Sequence, residues 1–114
     1  MDFPEIIGTL ISAGFEGYAV DYRRGVTTYY LPDGDSAEVA NRKSDGHIAA
    51  SFDAAGLQAA IREAQTKAPG YSYAGFCAKA KASGCAGYIV SFLGRQVLYY
   101  GRTAQTHVEL FPGQ

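Results

Sequence analysis

Phe3, Ile6, Ile7, Leu10 and Ile11 recur at the three- and four-residue spacing of a single helical face. Asp2, with Glu5 three residues on, reads as a capping box, and Gly14 stands where a helix stop belongs. The period then drops to two. Residues 17–23 place Tyr18, Val20 and Tyr22 on one face and Ala19 and Asp21 on the other, and 26–31 is rich in Val, Thr and Tyr. Both segments read as strands. Arg23-Arg24-Gly25 between them reads as a tight hairpin, with Gly25 supplying a positive φ. Pro32-Asp33-Gly34 is a second turn signature, and 35–40 reads as a short third strand.

The polar stretch 41–46 reads as a loop and 48–52 as extended chain. Asp53 is placed to cap a helix whose apolar positions are Leu57, Ala60, Ile61 and Ala64, ended by Pro69-Gly70. Ser72 caps another, with Tyr73, Phe76, Cys77 and Ala80 on one face and Gly84 closing it. Strands follow at 87–93 and 96–100, joined across Gly94-Arg95. A last strand, 105–111, places Thr106, Val108 and Leu110 on one face and Gln105, His107 and Glu109 on the other, which reads as the exposed one.

Two of these stretches are alike. GFEGYAVDYRRGVTTYY at 14–30 returns without a gap as GCAGYIVSFLGRQVLYY at 84–100, with six of seventeen positions identical. A fixed offset of seventy residues predicts two copies of one helix–strand–strand–strand unit, about 2–40 and 72–111, with the 53–67 helix between them and without a counterpart. The expected fold is α+β in one domain spanning 1–114: an antiparallel sheet covered by helices on one face. Whether the sheet is continuous or split is open. A three-residue loop at 23–25 pairs Tyr18 with Tyr30, whereas a two-residue loop at 94–95 pairs Val90 with Tyr99. A gapless repeat demands one loop length for both.

Composition narrows the function classes. A chain of 114 residues with 47% hydrophobic and 18% charged residues can build its own core without metals or disulfides. Ten basic and eleven acidic residues leave no footprint for nucleic acid or an anionic membrane surface. No apolar run reaches the roughly 20 residues that span a bilayer, and the N-terminus lacks the basic start of a signal peptide. The cytoplasm is the expected compartment, with both thiols reduced. The cysteines, Cys77 and Cys85, match no zinc spacing, and His47 and His107 have no acidic ligand at a fixed distance, so no metal is expected. Neither glycine-rich stretch follows a strand and opens a helix, so no cofactor is expected either.

Cys77 is the first candidate nucleophile, weighed against a buried core thiol; Cys85 aligns with Phe15 and reads as core. Asp33, Asp35 and Glu38 resemble half of a calcium loop but read better as a turn and an edge strand. Arg23, Arg24 and Arg95 sit on matching hairpins, able to hold an anion or simply to be solvated. Tyr29-Tyr30 and Tyr99-Tyr100 each send one ring to each side of a strand. Tyr30 and Tyr100 are therefore candidates for a ligand shelf, a dimer surface or ordinary cross-strand packing.

Nearly the whole chain also resembles the YbcV-like family, short bacterial proteins of unknown function, some labelled phage envelope protein. The resemblance rests on the Gly-x-x-x-Tyr of each copy (Gly14 to Tyr18, Gly84 to Tyr88), on Thr28-Tyr29-Tyr30, on Gln65, and on Tyr73-x-x-Phe76-Cys77. Some relatives carry Trp where this chain has Tyr88, and a turn Gly where it has Ala104. The resemblance implies no activity or cofactor. It adds Gln65 and Tyr73, which flank the Pro69-Gly70 break, as positions able to orient a ligand or to cap backbone groups. Three functions compete: a non-enzymatic module that binds a protein or forms a homo-oligomer, a small-molecule binder or enzyme at the seam using Gln65, Tyr73 and Cys77, and a phage-derived accessory protein.

Overall fold

The computed structural model describes residues 3–41, 47–66 and 69–111; the Asp2 cap and all but Asn41 of the 41–46 loop lie outside them. The fold is α+β. Three helices, α1 (Phe3–Ser12), α2 (Ala54–Thr66) and α3 (Tyr73–Ala82), accompany one continuous sheet of six strands. These are β1 (Gly17–Asp21), β2 (Val26–Tyr30), β3 (Ser36–Ala40), β4 (Cys85–Ser91), β5 (Gln96–Gly101) and β6 (Thr106–Leu110). Their order is β3-β2-β1-β4-β5-β6, every pair antiparallel. The sheet is not split, because β1 and β4 pair directly at its centre.

Register is set by turn chemistry. Both hairpin loops are four residues long, 22–25 and 92–95, so both loop lengths expected from the sequence are corrected. The strands stop earlier because a side chain takes over at each turn. Asp21 Oδ1 accepts from the Arg23 and Arg24 N–H groups at 2.9 and 3.1 Å, and Ser91 Oγ accepts from Gly94 N–H at 2.8 Å. Tyr18 then opposes Tyr29, Tyr88 opposes Tyr99, and Val90 opposes Val97. The remaining registers repeat under the same 70-residue shift: Tyr29 meets Ala37 where Tyr99 meets His107. The central pair is symmetric about Ala19 and Ile89, with Tyr18 opposite Val90 and Val20 opposite Tyr88. β1 and β4 approach closely there. A Cβ on Gly17 would lie 2.4 Å from the Val90 carbonyl oxygen, and one on Gly87 would lie 2.4 Å from that of Val20. Only glycine fits at either point.

The core lies on one side of the sheet. Tyr18, Val20, Tyr88, Val90, Val97 and Tyr99 are buried there with Ile7 of α1, Leu57 and Ile61 of α2, and Phe76 of α3. Each such side chain contributes about 1.5–3 kcal/mol by leaving water. Asp53 caps α2, accepting from Gly56 N–H at 3.0 Å, and Ser72 caps α3, accepting from Gly75 N–H at 3.0 Å.

Residues 48–52 run along the end of α3, with Ala49 N–H donating to the Lys81 carbonyl (2.9 Å) and Asp53 N–H to that of Ser83 (2.7 Å). One further expectation is corrected. β6 faces the opposite way from its expected pattern. Because Tyr99 pairs with His107, the half-buried His107 and Glu109 lie on the helix side, while Thr106, Val108 and Leu110 are exposed on the uncovered side. An edge strand borrows its orientation from its neighbour, and its own alternation is too weak to fix it.

Candidate functional site

Two places bring the singled-out residues together. The first is the seam between α3 and the central strands. Its cap at Ser72 starts α3 so that Tyr73, Phe76 and Cys77 follow along one side. Tyr73 is 55% exposed overall, yet its hydroxyl shares a 2.7 Å hydrogen bond with that of Tyr88. Tyr22 reaches the same seam from the first hairpin, its hydroxyl donating to Cys77 Sγ at 3.6 Å. Around them the rings pack edge to face, Tyr22 on Tyr88 at 6.2 Å and Tyr18 on Tyr88 at 6.4 Å.

Burial raises the pKa of Tyr22, Tyr73 and Tyr88 above the ordinary phenol value, so these hydroxyls stay protonated. They act as hydrogen-bond groups and hold no charge. Cys77 is 6% exposed, and the Tyr22 hydroxyl that donates to it is a neutral phenol, whereas thiolate chemistry calls for a cation or a helix N-terminus beside the sulfur. Cys85 is fully buried, its thiol donating to the Gly87 carbonyl at 3.2 Å, and burial pushes the thiol up to about 11. The seam thus joins Tyr73 and Cys77, as the sequence suggested, and adds Tyr22 and Tyr88. Gln65 is exposed near the end of α2, and among the described residues no hydrogen bond or ion pair ties it to either.

The second place is the uncovered side of the sheet. Alternation along each strand places Ala19, Ile89, Leu98 and Val108 in one row there, across four adjacent strands. Ile89 is 47% and Val108 45% exposed. Tyr30 and Tyr100 flank this row at matching positions, opposite Gly17 and Gly87. Their conformations differ. The Tyr100 ring lies over Gly87, its hydroxyl 2.4 Å from where a Cβ would stand, and burial raises its pKa, with Asp21 adding to the rise and Arg23 opposing it. The Tyr30 ring does not lie over Gly17 in the same way, and a cavity of about 170 Å³ is lined by Tyr30, Gly17, Ile89 and Ser91. A smaller one, about 110 Å³, lies between α2 and α3 beside Glu63, Ser72 and Lys79.

The row of Ile89, Leu98 and Val108 was missed from the sequence. Its signal is the two-residue alternation of β4, which buries Tyr88 and Val90 and must turn Ile89 outward. His47 is exposed, and His107 Nε2 pairs with Glu109 Oε1 at 2.8 Å. Arg24 pairs with Glu38 at 3.5 Å, both exposed, and Asp33 Oδ1 accepts from Asp35 N–H in an ordinary turn. Among the described residues no group of three or more His, Cys, Asp or Glu is placed to hold a metal ion, and no helix is long and apolar enough to cross a membrane. Against known proteins, the chain matches no family model and no curated sequence.

Proposed function

We propose that this chain is a small non-enzymatic module that associates with another copy of itself through its sheet. The observation that carries the reading is the one-sided cover. All three helices contribute to a core on one side, while the other side presents Tyr30, Ile89, Val108 and Leu110 to solvent. A row of exposed apolar side chains across adjacent strands has an obvious use in contact with a like surface. The alternative, a small-molecule or catalytic site built on Gln65, Tyr73 and Cys77, draws less support. Cys77 is closed off, the Tyr73 hydroxyl is engaged by Tyr88, and Gln65 stands apart.

We also propose that the chain arose by doubling one helix–strand–strand–strand unit. Support comes from α1 and α3, and from every strand register, recurring at the 70-residue shift. The YbcV-like resemblance is compatible with both proposals and supplies no activity of its own. Light scattering coupled to size exclusion over a wide concentration range tests the self-association reading. A concentration-dependent dimer is expected. A strict monomer at the highest concentration removes it.

A further inference from the structure

Resting on the self-association reading, we infer that two copies meet by pairing their β6 edge strands antiparallel, centred on Val108, to make one continuous sheet. The backbone permits it. Phe111 N–H donates to the Arg95 carbonyl and Gly101 N–H to the Gln105 carbonyl, so residues 105 and 111 face β5. By alternation 107 and 109 do the same, and the N–H and C=O groups of Thr106, Val108 and Leu110 point away from the sheet. A two-fold pairing centred on Val108 matches these groups as about six inter-chain hydrogen bonds.

Side chains select that register. It sets Val108 against Val108 and Thr106 against Leu110 on the uncovered side. It sets His107 against the other copy's Glu109, twice, on the helix side, as non-hydrogen-bonded pairs whose side chains come closest. Centring on residue 107 opposes histidine to histidine, and centring on 109 opposes glutamate to glutamate. The other edge discriminates against itself. β3 has the same outward pattern, but its centre is Glu38, so the equivalent pairing sets two carboxylates face to face. Pairing β3 with β6 brings no opposite charges together and would propagate as a filament. In the Val108-centred dimer the row from Ile89 through Leu98 to Val108 continues unbroken into the second copy.

Four variants of the full chain test this by light scattering and sedimentation, with circular dichroism reporting the fold. Val108→Pro removes an outward N–H and no bond to β5, so it is expected to yield a folded monomer. Glu109→Lys is expected to weaken the dimer by about tenfold, since each His107 then faces an ammonium in place of a hydrogen-bonding carboxylate. The His107→Glu, Glu109→Lys double variant sets opposite charges face to face and is expected to recover the dimer, which a merely structural role of Glu109 would not produce. A wild-type chain that stays monomeric overturns both this pairing and the self-association reading. A dimer that survives Val108→Pro but is split by Ile89→Glu overturns the edge pairing and leaves the broader reading standing. Growth beyond a dimer with concentration overturns the two-fold pairing.

Discussion

Strands β1–β3 and β4–β6 share registers, turns and hydrogen bonds, yet they are buried very differently. Tyr99 is 7% exposed, whereas its counterpart Tyr29 is only partly buried. β3 is exposed at all five positions, while β6 tucks His107 and Glu109 in on its helix side. The cause is chain outside the repeat. α2 has no counterpart and buries Leu57, Ala60 and Ile61 against α3. Its lead-in packs on the second half, where a Cβ on Gly84 would lie 2.1 Å from the Ser51 carbonyl oxygen and one on Gly101 would lie 2.6 Å from the Phe52 ring. At the matching positions of the first half stand Gly14, with open space around it, and Leu31. Strand pairing is thus a local property of each hairpin, whereas burial depends on what lies above it.

The sharpest break of this comparison is at the paired helix stops. Gly14 and Gly84 both adopt a left-handed φ, +96° and +88°. Gly14→Ala is expected to cost about 1 kcal/mol, the left-handed strain alone. Gly84→Ala adds a clash with fixed backbone and is expected to cost about 3 kcal/mol or more. Urea unfolding measures both; equal losses would show that the 51–52 segment does not press on the second half.

An effect of intermediate size is confined to the second half. The folded Cys85 thiol, raised to about 11, holds its proton more tightly than an unfolded thiol at about 8.5. Its contribution is therefore fully present below pH 8.5 and is lost as pH rises through 11. Between those values stability is expected to fall by up to about 1.4 kcal/mol per pH unit, with the buried tyrosines adding to the loss above pH 10. Urea midpoints followed from pH 7 upward should decline first in the wild-type chain. Cys85→Ala is expected to flatten the curve below pH 10; an unchanged slope would assign the loss elsewhere.

The smallest effect concerns turns. Arg95 and Ala104 hold positive φ, 54° and 65°, where the first half uses Gly25 and Gly34. Arg95→Gly and Ala104→Gly are each expected to stabilise by about 0.5 kcal/mol, relief of left-handed strain outweighing the added freedom of the unfolded chain. Thermal melts should rise slightly for each, and Gly25→Ala should lower the melting point. A fall on Arg95→Gly would mean that the Arg95 side chain contributes more than its backbone costs.

Much of the fold was legible from local chemistry. Ser72 and Asp53 as caps, Gly14 and Gly84 as stops, and the run of Leu57, Ala60 and Ile61 each act within a turn or two of chain, so sequence spacing reports them. The loop lengths were misread because Asp21 and Ser91 end their strands with side-chain hydrogen bonds, which alternation does not register. Of the seam, Tyr73 and Cys77 were visible as one helix face. Tyr22 and Tyr88 come from strands and are brought there only by packing.

What the sequence determined by itself was the set of elements and the 70-residue recurrence, because caps, stops and periodicity are short-range. What only tertiary structure decided was that β1 and β4 join at the centre, which side of β6 faces water, and that the three described helices all cover the same face of the sheet. Those follow from contacts between segments far apart in the chain, and burial there is set by the partner as much as by the residue.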